Sequence, residues 1–129
     1  MTLAADLPYD HPDLANLLAH SDAEQLDVLR FGVIGFDRDG RVQRYNQFES
    51  QAAGLRPERV LGLDVFVAVA PCMNNDLVAQ RFADARQDGA PLDETLNYVL
   101  TLRMRPTKVK LRLLSQPESE LAFVLVERA

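Results

Sequence analysis

Leu121-Ala122-Phe123-Val124-Leu125-Val126 is apolar at every position. An antiparallel strand with one wet face alternates apolar and polar residues. This run does not alternate, so a strand here is expected to be covered on both faces. Upstream, Val109, Leu111 and Leu113 alternate with Lys108, Lys110 and Arg112, which reads as a neighbouring strand. Before it, Leu96, Tyr98, Leu100, Leu102 and Met104 share one face of a long strand, with Asn97, Thr101 and Arg103 opposite. Arg105-Pro106-Thr107 and Gln116-Pro117-Glu118-Ser119 are the breaks between the three. Lys108, Lys110 and Arg112 are expected on a solvated sheet face, with a phosphate or partner contact as the alternative reading.

The first half of the chain supplies the cover. His11-Pro12-Asp13 opens a predicted short helix with Leu14, Leu17 and Leu18 as its apolar stripe. Ser21 and Glu24 have capping-box spacing and predict a second short helix with Leu26 and Leu29 buried. Phe31-Gly32-Val33-Ile34-Gly35-Phe36 reads as a buried strand, Asp37-Arg38-Asp39-Gly40 as a turn, and Arg41 to Tyr45 as the returning strand. Asn46 is a predicted cap for a helix over Gln47 to Ala53 that stops at Gly54. Another turn follows at Pro57 to Gly62, and a longer helix is predicted from about Asn75 to Gln87, ending at Gly89. The order defines an α+β domain: a central antiparallel sheet of about five strands, short helices on one face and an N-terminal helical lid on the other. Residues 1–28 are the expected helical cap and 29–129 the core of a single domain.

Composition narrows the function. The chain has 129 residues and is 47% hydrophobic, enough for one real core. The longest apolar run, Val65 to Pro71, is far shorter than the roughly 20 residues needed to cross a bilayer, so no membrane partner is expected. A net charge of -5 argues against nucleic acid. No basic region precedes an apolar block at the N-terminus, so no signal peptide is expected and the expected location is the cytoplasm. His11 and His20 make no zinc spacing with the single cysteine, Cys72, and no metal site is predicted.

Cys72 follows Val69-Ala70-Pro71. A lone thiol is most often a small apolar filler. It can also carry one covalent ligand, or act as a nucleophile if a base lies beside it. Tyr45 and Glu49 are four residues apart, the spacing of neighbours on one helical face. Each alone reads as an ordinary packed or solvated residue. Buried together, a tyrosine and a neutral carboxyl group are two hydrogen-bond donors suited to one anionic oxygen.

With these residues in view, the chain resembles the photoactive yellow protein family of PAS-fold blue-light receptors. The resemblance runs from about Glu24 to Arg128 and rests on Phe31-Gly32-Val33-Ile34, Asp39-Gly40, Tyr45-Asn46 with Glu49, Val69-Ala70-Pro71-Cys72, and Met104 with Pro106-Thr107-Lys108-Val109-Lys110. It implies a PAS-like fold and no enzymatic activity. It also implies a 4-hydroxycinnamic acid (p-coumaric acid) chromophore in thioester linkage to Cys72. By position Tyr45 and Glu49 would donate to the phenolic oxygen, and Met104 would assist return to the dark state. Ala53, Leu55, Val65, Phe66, Ala70, Pro71 and Leu100 would complete the chromophore surroundings. Light would drive isomerisation, a proton would leave Glu49, and the N-terminal cap would loosen. The implied partner is a downstream signalling protein, and a monomer or weak dimer is the expected assembly. A chromophore-free PAS interaction or small-ligand module is the alternative, and a thiol enzyme ranks last.

The chain also departs from the family's pattern. The best-known member has an arginine where Leu55 stands, followed here by Arg56, and a threonine where Ala53 stands. Leu100 and Leu102 replace two aromatics, and one extra residue separates Cys72 from Met104. Colour, phenol acidity and recovery rate are therefore expected to differ.

Overall fold

The computed structural model describes residues 4–101 and 106–128. Helices α1 (Leu14–Ala19) and α2 (Ala23–Leu26) lead into strands β1 (Gly32–Phe36) and β2 (Val42–Tyr45). Helices α3 (Gln47–Ala53) and α4 (Pro57–Val60) follow. A π-helical turn (Val65–Val69) and a 3-10 turn (Pro71–Met73) then precede α5 (Ala79–Asp88). Strands β3 (Leu92–Leu100), β4 (Thr107–Ser115) and β5 (Ala122–Arg128) complete the chain. The sheet is antiparallel, in the order β2-β1-β5-β4-β3.

The non-alternating run is thus the middle strand. Its even-numbered residues, Ala122, Val124 and Val126, face the cluster built from Ile34, Val65, Phe82 and Leu113. Its odd-numbered residues, Phe123 and Leu125, face a second cluster with Leu14, Leu18, Leu26, Leu29 and Phe31. The N-terminal helices cover one face and the central helices the other. Register continues this across the sheet: Ile34 lies opposite Val124, which lies opposite Leu113. On the other face Val33, Leu125 and Arg112 form the equivalent row.

Arg112 corrects the expected solvated basic face. Lys108 and Lys110 are exposed, but Arg112 is buried. The N-terminal segment covers only the end of β4 that carries Arg112 and Leu114. The guanidinium is bidentate to Asp93 of β3, at 2.9 Å on both bonds, and donates to the carbonyls of Tyr9 (3.0 Å) and His11 (2.8 Å). Those Asp93 bonds hold the guanidinium above its ordinary range, against the opposing effect of burial. Tyr9 packs edge-on to Phe31, and burial, reinforced by Glu127, pushes its phenol up.

Local signals explain most boundaries. Asn46 caps α3 and Gly54 ends it at positive φ, as predicted. The cap of α2 is Asp22 with Gln25, one residue later than the predicted Ser21 with Glu24. Ser21 is buried, and its hydroxyl donates back to the Leu17 carbonyl at 2.6 Å, which leaves Asp22 as the acceptor. Helix α5 starts at Ala79 rather than near Asn75. The Asn75 side chain accepts from the amides of Leu77 and Val78, an Asx turn that competes with helical winding, and Leu77 is exposed. Leu102 and Met104 of the predicted long strand lie outside the described residues.

Candidate functional site

Cys72 sits in the 3-10 turn that follows the π-helical turn. The Asp64 carboxylate starts this segment by accepting from the amides of Phe66 and Val67, both at 3.0 Å. Val65, Val69, Ala70 and Met73 are buried and anchor it to the core. The Cys72 side chain is only half-buried. Its carbonyl oxygen accepts from the Tyr98 hydroxyl and from Asn75 Nδ2, the latter at 3.2 Å. Tyr98 and Asn75 also bond to one another, at 2.6 Å, so β3 and the start of the α5 approach both hold the Cys72 backbone. Neither of these two residues was assigned to the site from sequence.

The thiol borders an apolar cluster that includes Tyr45, Val65, Ala70 and Leu100, with Leu55 and Phe66 packed against it. These residues come from β2, the π-helical turn and the residue after it, β3 and the loop after α3, so the fold brings most of the predicted set into one cluster. The Leu55 carbonyl is fixed by the Ser50 hydroxyl at 2.6 Å. Ala53 is half-buried and Pro71 exposed, and neither belongs to the cluster. Met104 lies outside the described residues.

Asn46 places Tyr45 and Glu49. Its side-chain oxygen accepts from the amides of Val33 (2.9 Å) and Glu49 (3.1 Å). Its side-chain nitrogen donates to the carbonyls of Leu26 and Phe31, both at 3.0 Å. One buried amide therefore joins β1, the first turn of α3 and the end of the N-terminal helices. Glu49 is 2% exposed. Its carboxylate is bidentate with Arg128 of β5, at 2.7 and 3.1 Å. Those bonds hold the Arg128 guanidinium above its ordinary range, while burial opposes them. Gly32 makes the seat possible: a Cβ there would lie 2.1 Å from Glu49 Oε1. Sequence reading missed Arg128, which has no local spacing to betray it.

The sheet order and the helices inserted between β2 and β3 are those of a PAS fold, and a family model described as PAS fold matches residues 26–127. Relatives narrow this further. A photoactive yellow protein of Rhodobacter capsulatus is 32% identical over 123 residues, covering 95% of this chain and 98% of the relative. One of Rhodothalassium salexigens is 30% identical, covering 95% and 97%. Among solved structures, the photoactive yellow protein domain of the sensor histidine kinase Ppr of Rhodospirillum centenum superposes with a TM-score of 0.79 at 31% identity. That match covers 88% of this chain and 99% of that domain. The chain belongs to the photoactive yellow protein family.

Proposed function

We propose that this protein is a blue-light receptor that carries a 4-hydroxycinnamoyl group as a thioester on Cys72. The observation that carries this reading is that Cys72, the only cysteine, packs against the same apolar cluster that buries Tyr45. The residues suit the group: a half-buried thiol for the acyl end, apolar walls for the ring and the buried Tyr45 hydroxyl for a phenolic oxygen, with Glu49 able to join it once its bonds to Arg128 open. Such a group supplies a conjugated phenol that absorbs blue light when ionised and changes shape by trans-to-cis isomerisation.

The protein's own residues do the rest. Tyr45 and Glu49 bind and orient the phenolic oxygen. Val65, Phe66, Ala70 and Leu100 exclude water, which strengthens those hydrogen bonds. The Tyr98 and Asn75 bonds to the Cys72 carbonyl fix the tether. With its bonds to Arg128 opened, Glu49 would hold the transferable proton at a carboxyl oxygen, and its loss would create charge in apolar surroundings, where charge is costly unless paired. Any resulting shift of α3 reaches Leu26 and Phe31 through Asn46, so residues 1–28 act as the cap that loosens. The receptor signals to a partner protein and performs no turnover of its own.

The test is to supply activated 4-hydroxycinnamic acid. The expected product is yellow, bleaches under blue light and gains the mass of one hydroxycinnamoyl group, and Cys72→Ala abolishes all three. Colourless protein with an unmodified thiol would favour a chromophore-free interaction or small-ligand module.

A further inference from the structure

Glu49 cannot donate a hydrogen bond in the arrangement described. An ionised carboxylate is an acceptor only, and both of its oxygens here receive N–H groups of one guanidinium. The pair is well enclosed, with side-chain exposures of 3% for Glu49 and 18% for Arg128. Arg128 is nevertheless at a margin. It is the last residue of β5 and pairs with Val109 near the start of β4. The guanidinium therefore touches the buried carboxylate while the side chain keeps a small share of its surface in water.

We infer that Arg128 is a positioning residue for Glu49: seated, it holds Glu49 as a carboxylate, and withdrawn, it leaves a carboxyl group that serves as a donor. This rests on the proposed role of Glu49 as a donor to the ligand oxygen. The exchange balances simply. When the guanidinium leaves, one carboxyl oxygen takes a proton from solvent water; when it returns, that proton goes back to solvent. The charged and titratable groups that face Arg128 are Glu49 from α3 and Tyr45 from β2; Glu127 of β5 and Lys108 and Lys110 of β4 point to the opposite face of the sheet. Glu49 is the one that makes two hydrogen bonds to it. Gly32 leaves the room that the Glu49 carboxylate occupies, because no side chain of β1 lies beneath it.

A consequence concerns the charge left when Glu49 gives up its proton. That carboxylate has a partner within reach, so it need not stay unpaired in the core. Arg128 then favours the deprotonated state and slows its reversal.

Infrared spectra of the full chain without any added ligand test this directly. Subtracting the spectrum of Glu49→Gln isolates the Glu49 band. At neutral pH the wild type is expected to show an ionised carboxylate band alone, whereas Arg128→Gln gains a protonated carboxyl band. Arg128→Lys keeps the charge and restores the ionised form, which a merely structural role would not require. A protonated band already present in the wild type, or an ionised band unchanged in folded Arg128→Gln, would overturn the inference. After loading with hydroxycinnamic acid, Arg128→Gln should shift the visible band and speed recovery at unchanged label stoichiometry. Failure of both proteins to take up label would count against the Cys72 reading alone, and the infrared result would still decide the role of Arg128.

Discussion

Replacing Asn46 with alanine removes the amide at the junction of three elements. Its side chain makes four hydrogen bonds, all to backbone groups and all buried. A typical buried hydrogen bond contributes about 0.5–1.5 kcal/mol net, so four contribute about 4 kcal/mol. The loss of the α3 cap is contained in that sum through the Glu49 amide. Against a total stability of about 5–15 kcal/mol, the change is large without abolishing folding. Urea denaturation should show a lower midpoint with an unchanged slope. Asn46→Asp separates the two halves of the network. It keeps the acceptor for Val33 and Glu49 but turns an anionic oxygen toward the carbonyls of Leu26 and Phe31. Hydrogen exchange in Asn46→Asp should therefore quicken in the N-terminal helices more than in α3, whereas Asn46→Ala should affect both. A loss below about 1 kcal/mol for Asn46→Ala would refute the reasoning, since no more than one such bond could then matter.

Two further outcomes follow from the same geometry. Gly32→Ala would set a methyl 2.1 Å from Glu49 Oε1, so overpacking should cost about 1–3 kcal/mol. Most of that cost should vanish in a Glu49→Ala background, and an equal cost in both backgrounds would separate Gly32 from Glu49. For Arg112→Gln, the Asp93 side chain is half exposed, so the ion pair itself contributes about 1 kcal/mol or less. Loss of the bonds to the Tyr9 and His11 carbonyls adds about 2–3 kcal/mol. Exchange should quicken around residues 9–18 while β1 and β5 keep their protection; a uniform change would show that Arg112 supports the whole fold instead.

Features with a local signature were legible in the chain itself. The caps at Asn46, Gly54 and Gly89, and the turn at Gly40, depend on residues a few positions apart, and each appears where its residue type requires. The doubly covered β5 was legible because burial on both faces removes alternation. Errors arose where two local options compete. Ser21 and Asp22 can each cap α2, and which one does so depends on whether Ser21 is buried. Asn75 can open a helix or hold a turn, and it holds the turn while also bonding Tyr98. Within the candidate site, several residues proposed from the family pattern share one buried cluster, but the polar fixings had no such pattern to announce them. Arg128 meets Glu49 across 79 positions, and Arg112 meets Tyr9 across 103. Such pairs are set by strand order and by where the N-terminal segment ends its cover, neither of which leaves a spacing to read.

The middle strand also determines how this protein can change over time. Neighbouring letters of β5 serve opposite layers, Phe123 and Leu125 beneath the N-terminal helices, Val124 and Val126 beside the thiol cluster. Substituting one letter disturbs one layer. Inserting or deleting one would exchange the two sets wholesale and move Arg128 to the wrong side of the sheet. Lineages that keep this architecture are thus free to alter the spelling of the strand but are held to its count.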